Sequence, residues 1–69
     1  MSEYLVIYER SKTGWGAYCP DLPGLGVAGG TRDEAEHLIS EGVALHIEAL
    51  REQGEPIPQP VSVAGTVGV

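Results

Sequence analysis

The sequence predicts an α+β fold, a two-layer βββαβ sandwich in which one long helix lies on a four-stranded sheet. Short strand-like segments separated by turn residues occupy residues 4–28, and a single stretch with helical periodicity follows at residues 32–53. A weaker strand-like segment comes after the helix, at residues 61–67. Because the helix must bury its apolar stripe, we expect it to lie on one face of the sheet.

The first strand-like segment, residues 4–9, is rich in aromatic and β-branched side chains and is apolar on both faces. This pattern predicts a central strand that is covered on each side. Residues 11–14 have the composition of a hairpin loop. They lead into an antiparallel second strand at residues 15–19, and a short third strand is predicted at residues 25–28.

A rigid turn, Pro20-Asp21-Leu22-Pro23-Gly24, separates the second and third strands. The two prolines fix φ, and the glycine can adopt a positive φ. Asp21 is the one acid in this turn. An aspartate here commonly caps a nearby backbone N–H, and the alternative is that it meets an Arg or Lys of a partner.

The helix has sequence signals at both of its ends. Thr31, with Glu34 three residues later, forms a capping box, while Gly54 and Pro56 end the helix after residue 53. Between these signals, apolar positions recur with the helical period. The positions assigned to this apolar face are Ala35, Leu38, Ile39, Gly42, Val43, His46, Ala49 and Leu50.

The segment after the helix is predicted to form the fourth strand. Residues 56–60 form a proline-rich extended tether. A right-handed crossover would then bring residues 61–67 alongside the first strand, parallel to it.

The helix covers one face of this sheet, and the other apolar face is left without cover. This uncovered face predicts a homodimer or a larger assembly. Trp15 and Tyr18 are three residues apart, so one of them should lie on the face away from the helix.

The charge balance bears on the class of partner. Ten acidic residues against four basic ones give a net charge of −6. Affinity for nucleic acid comes largely from Lys and Arg, so direct binding to nucleic acid is not expected. A basic protein would suit this surface; the plain alternative is that acidity only keeps a small protein soluble. The candidate partner-binding residues are Trp15, Tyr18, Asp21, Glu34, Glu41, Glu48 and Glu52.

The sequence predicts no enzyme, no cofactor and no metal site, because carboxylates do not converge on neighbouring strands. Cys19 is expected to be a buried thiol, with a nucleophile as the alternative. His46 is expected to pack as a neutral imidazole, with a general base or ligand as the alternative. A lone cysteine, with neither a signal peptide nor a long apolar run, predicts a cytoplasmic protein that does not enter a membrane.

Several of these motifs together resemble the N-terminal domain of the HicB antitoxins. The residues that carry the resemblance are Tyr4-Leu5-Val6-Ile7, the segment 16–24 with its proline turn, the segment 29–35 and the segment 54–60. The resemblance implies a partial RNase H-like fold without nuclease activity. It also implies binding and neutralisation of a small basic HicA toxin, a dsRBD-like protein that cleaves mRNA.

Many such antitoxins carry a C-terminal DNA-binding domain, whereas this sequence stops at Val69. We therefore expect a single HicB-like domain over residues 1–69 without a C-terminal DNA-binding domain. Two functions stay open at this point. One is an antitoxin module, and the other is an orphan oligomeric binding or scaffold protein of the same fold that has no toxin partner.

Overall fold

A computed structural model describes residues 3–69 and places three strands ahead of one helix. The strands are β1 (Ile7–Arg10), β2 (Trp15–Tyr18) and β3 (Gly26–Gly29), and the helix is α1 (Arg32–Glu52). The sheet is antiparallel, in the order β1-β2-β3. The α+β class is therefore confirmed. No helix in the described part of the chain is both long and apolar enough to cross a bilayer.

The first strand is shorter than predicted and lies at an edge of the sheet. Its ladder begins at Ile7, which pairs with Tyr18, the last residue of β2. After Cys19 the chain reaches Pro20, which has no N–H to donate and begins a turn. Residues 4–6 consequently have no strand partner in the described chain. The prediction of a central strand over residues 4–9 was wrong on this point.

The predicted fourth strand is also wrong, because residues 61–67 form no strand in the part of the chain that the structure describes. The backbone N–H groups of Val61 and Ser62 donate instead to the carboxylate of Asp21. Gly65, in the middle of the segment, lowers its strand propensity further. The sheet therefore has three strands, and the free edge of β1 stays unpaired within residues 3–69.

Both helix ends follow the sequence signals closely. Thr31 is the N-cap in an extended conformation, with φ −132° and ψ 163°. At the other end Gly54 takes a positive φ of 68°. Its N–H donates to the carbonyl of Arg51, while the Glu55 N–H donates to the carbonyl of Leu50. These two bonds form a Schellman motif, which explains why the helix ends where glycine and proline predict.

The core lies between α1 and the face of the sheet formed by β2 and β3. Ala17, Ala35 and Ile39 form its centre. Ala49, predicted on the apolar face, is exposed. The reason is length: a 21-residue helix runs about 32 Å, whereas a strand of four residues spans about 13 Å. The short strands cannot cover the whole helix.

Candidate functional site

The proline turn is built from two successive hydrogen-bonded turns. The Leu22 N–H donates to the carbonyl of Cys19 at 3.1 Å, and the Leu25 N–H donates to the carbonyl of Leu22 at 3.3 Å. Each turn has a proline at its second position. Gly24, with φ 84°, makes the second one type II. Leu22 is completely buried, so it anchors the turn and holds the neighbouring carboxylate in place.

That carboxylate, Asp21, holds the segment that follows the tether. One oxygen, Oδ2, accepts from the N–H groups of Val61 at 3.2 Å and Ser62 at 3.0 Å. The other, Oδ1, accepts from Ser62 Oγ at 2.8 Å. Asp21 therefore caps backbone N–H groups, but on a distant segment rather than locally. Sequence reasoning missed this contact, for which the one available signal was a lone serine in an uncharged, valine-rich segment.

These hydrogen bonds also set the charge of the turn. The Ser62 N–H lowers the pKa of Asp21 below its ordinary value of 3.8, with the Ser62 hydroxyl and the Val61 N–H acting in the same direction. Partial burial opposes them but does not reverse the shift. Asp21 is thus ionised at neutral pH, and both of its oxygens are engaged inside the chain.

Four exposed carboxylates follow one side of α1: Glu34, Glu41, Glu48 and Glu52. We call them the acidic stripe. At about 100° per residue they fall within about 40° of arc around the helix. Glu41 also meets His37, whose Nε2 lies 2.7 Å from Glu41 Oε1. Leu45 lies beside the stripe with 65% of its surface exposed, as a lone apolar side chain among the carboxylates.

One member of the acidic stripe has a second role. The Glu34 N–H donates to Thr31 Oγ1 at 3.1 Å, while Glu34 Oε1 accepts from the Gly30 N–H at 3.2 Å. In a standard capping box the second bond returns to the N–H of the cap residue. Here it reaches one residue earlier. Glu34 therefore fixes the entry to the helix as well as adding charge.

The two aromatic candidates lie on opposite faces of the sheet, as their spacing predicts. Trp15 packs towards the core beneath α1. Tyr18 lies on the other face, in register with Ile7, and is 39% exposed. Tyr18 and the acidic stripe therefore occupy opposite surfaces of the sandwich. The candidate residues therefore do not form one site: the acidic stripe and Tyr18 lie on opposite surfaces, Trp15 packs towards the core, and Asp21 is engaged by Val61 and Ser62.

The residues with potential for chemistry are not brought together. Cys19 is a free thiol with 2% of its surface exposed, and His46 is half-buried on the helix. In the described part of the chain, no three side chains of His, Cys, Asp or Glu are grouped so that they could hold a metal ion.

An apolar groove that the sequence did not reveal lies between β1 and α1. It has a volume of about 590 Å³ and is lined by Tyr4, Val6 and Tyr8 on one side and by Ile39 and Val43 on the helix, with the polar residues Glu36 and Ser40 beside them. The groove exists because α1 packs chiefly over β2 and β3. It therefore runs along the strand whose outer edge is unpaired.

Comparison with known proteins gives the family. The model of the HicB-like antitoxins of bacterial toxin–antitoxin systems matches residues 4–68. A UPF0150 protein of Synechocystis is 37% identical over 57 residues, which cover 81% of this chain and 72% of that protein. An uncharacterised 14.9 kDa protein from the rep-hol intergenic region of Haemophilus phage HP1 is 34% identical over 56 residues.

The phage protein is the longer relative: the match covers 81% of this chain but 42% of that protein. No solved structure matches this chain. The family model extends over the strands, the proline turn, the capped helix and the segment that Asp21 holds. On this match over residues 4–68, the chain belongs to the HicB-like antitoxin family.

Proposed function

We propose that this chain is an antitoxin module that binds and neutralises a small basic toxin of the HicA type, which cleaves mRNA. In this proposal the three-stranded sheet and helix are a partial RNase H-like fold that serves as a binding scaffold. The proposal assigns no catalytic step to the chain, in keeping with a family that is typically non-catalytic.

The observation that carries the proposal is the acidic stripe on α1 with Leu45 beside it. Its carboxylates are exposed, so a partner can reach them without unfolding any part of the chain. A net charge of −6 reinforces their local field. Opposite potentials on two proteins speed their encounter and select against wrong partners. A single exposed leucine supplies the apolar contact that a purely charged surface lacks.

The stripe also suggests how neutralisation would work. A toxin that cleaves mRNA must hold a polyanionic backbone, and such binding depends on Lys and Arg. A helix surface with carboxylates along one side presents the same sign of charge as RNA. We therefore expect the stripe to occupy the basic RNA-binding surface of the toxin, so that the antitoxin and mRNA compete for it.

The test is co-expression of this chain with the small basic protein encoded beside it. The proposal expects a stable complex and relief of the growth arrest that the basic protein causes alone. A matched variant, Glu41→Lys with Glu48→Lys, should relieve arrest poorly although it folds. If the native chain gives neither complex nor relief, it is instead a binding module without a toxin partner.

A further inference from the structure

The free edge of β1 offers a place for one more strand. Residues 4–6 have no strand partner, and Ile7–Arg10 pairs only with β2 in the described chain. An exposed edge of this kind presents unpaired N–H and C=O groups that can pair with another segment. The apolar groove against α1, lined by Tyr4, Val6 and Tyr8 among others, runs beside the same residues.

The chain also contains a segment that has the pattern of a strand but no strand partner. Residues 63–69, which we call the valine segment, form neither helix nor strand. Val63, Val67 and Val69 would share one side of a strand with Gly65, and the three valines have exposures of 88%, 90% and 127%. The intervening residues are small or polar, as in Ala64 and Thr66. Such alternation is typical of a strand with one buried side.

Two contacts fix the place where the valine segment begins. The Tyr4 hydroxyl donates to the carbonyl of Pro58, near the start of β1. Asp21, just beyond the end of β2, then holds Val61 and Ser62. Because β1 and β2 are antiparallel neighbours, the start of β1 and the end of β2 lie side by side, and both contacts are made at this end of the sheet. The valine segment begins one residue after Ser62, close to the end of the central strand β2.

We propose that the valine segment of one copy adds a strand to the free edge of β1 in a second copy. The valines face the groove between β1 and α1, and the small residues face the other side. Seven residues in strand conformation span about 23 Å, the same length as residues 4–10 of the edge. Exchange in both directions gives a two-fold dimer in which each copy fills the groove of the other.

Charge favours a second copy over a basic partner at this position. Residues 56–69 contain no charged side chain, although the whole chain carries −6. A basic toxin gains nothing electrostatically from an uncharged segment, whereas two acidic copies approach there with the least repulsion. The dimer also uses a different surface from the acidic stripe, so it does not depend on the proposed toxin.

The experiment is sedimentation equilibrium of the whole chain over micromolar to millimolar concentrations, with two matched double variants. Val63→Asn with Val67→Asn makes the groove-facing side polar, whereas Ala64→Asn with Thr66→Asn changes the other side. All four positions are exposed and none is charged, so both variants should fold as the native chain does. The variant Val63→Asn with Val67→Asn loses two buried valines per copy, so we expect its dimer dissociation constant to rise at least about tenfold. The control variant should dissociate much as the native chain does.

A second measurement separates exchange between copies from pairing within one copy. In a mixture of isotope-labelled and unlabelled chains, NMR contacts from Val63 and Val67 methyls to the Tyr8 ring should appear between copies. A monomer at all concentrations, a dimer equally affected by both variants, or contacts found only within one copy would each overturn the proposal. None of these results bears on toxin binding, which is measured separately.

Discussion

Asp21 and Ser62 are 41 residues apart in the sequence, yet two hydrogen bonds join them, from the Ser62 N–H at 3.0 Å and from its hydroxyl at 2.8 Å. This pair connects the proline turn to the segment beyond the helix. The turn motif therefore does more than reverse the chain between β2 and β3. It holds a carboxylate where it fixes the course of the last part of the chain.

Asp21→Asn should loosen that segment without disturbing the sheet. The amide keeps the shape of the carboxylate but loses its charge and one acceptor oxygen, so it cannot accept all three hydrogen bonds. We expect faster hydrogen exchange at the amides of Val61 and Ser62 and a lower melting temperature. Glu55→Gln is the control, because it also removes one negative charge but does so at an exposed side chain. Equal exchange in both variants would show that Asp21 does not hold the segment.

The free energy of unfolding should depend on pH through the carboxylate of Asp21. The pKa of Asp21 is lowered in the folded chain from an ordinary value of 3.8, chiefly by the Ser62 N–H. Folding is therefore favoured by the ionised carboxylate, fully so above about pH 4. The contribution is lost as pH falls through the lowered folded pKa. The melting-temperature difference between native chain and Asp21→Asn should be constant near neutrality and shrink below pH 4.

The extent to which sequence predicted this fold differs between its two halves. The helix was predictable to within a residue, because its cap at Thr31 and its stop at Gly54 are local signals that act on adjacent backbone. The prediction of a fourth strand was wrong because the conformation of residues 61–67 depends on a long-range contact. The N–H groups of Val61 and Ser62 donate to Asp21 instead of to a neighbouring strand. The sequence of residues 61–67 alone does not indicate this contact.

In the candidate site, too, features set by local spacing could be predicted from the sequence, whereas features set by long-range packing could not. That the carboxylates of the acidic stripe share one side of α1 follows from helical spacing, and their exposure follows from the apolar face opposite them. The groove beside β1 could not be predicted, since it exists only because α1 packs over β2 and β3 and leaves the edge strand less covered. Its position is a property of packing rather than of periodicity.

Gly14→Ala should destabilise the fold where the hairpin loop approaches the end of β3. A Cβ at this position would lie 2.3 Å from the backbone oxygen of Gly29, which cannot move aside without disturbing the ladder. We expect a loss of about 1–3 kcal/mol in the free energy of unfolding. Gly30→Ala is the matched control, because a Cβ there meets no atom within 4 Å. Chemical denaturation of both variants measures the difference.

Thr31→Ala should cost about 1 kcal/mol in the free energy of unfolding, because Thr31 Oγ1 no longer accepts from the Glu34 N–H. In a domain of this size that corresponds to a fall of roughly 4–8 °C in melting temperature. Thr13→Ala, in the exposed hairpin loop, should change stability by less than about 0.5 kcal/mol. Similar losses in the two variants would contradict a capping role for Thr31.

Reversing charge on the acidic stripe should slow association with the proposed basic toxin. The informative variant is Glu41→Lys with Glu48→Lys, because neither carboxylate holds the backbone and both are exposed. Glu34 is left unchanged, since its carboxylate accepts from Gly30 and a reversal there would disturb the helix entry. Breaking the exposed His37–Glu41 pair should cost at most about 1 kcal/mol of stability.

The expected result is a lower association rate, measured by stopped-flow or surface binding, whose salt dependence is weaker than that of the native chain. Charges more than about 8 Å apart are screened at physiological ionic strength, so the native rate should fall as salt is added. Glu3→Lys with Glu9→Lys is the control, because it makes the same change in net charge away from α1. If both pairs slow association equally, net charge alone guides the toxin and the acidic stripe is not its docking surface.

Leu45→Ala tests whether the leucine beside the acidic stripe contacts the proposed toxin. Because this side chain is 65% exposed, its truncation should raise the dissociation rate of the complex while leaving folding stability nearly unchanged.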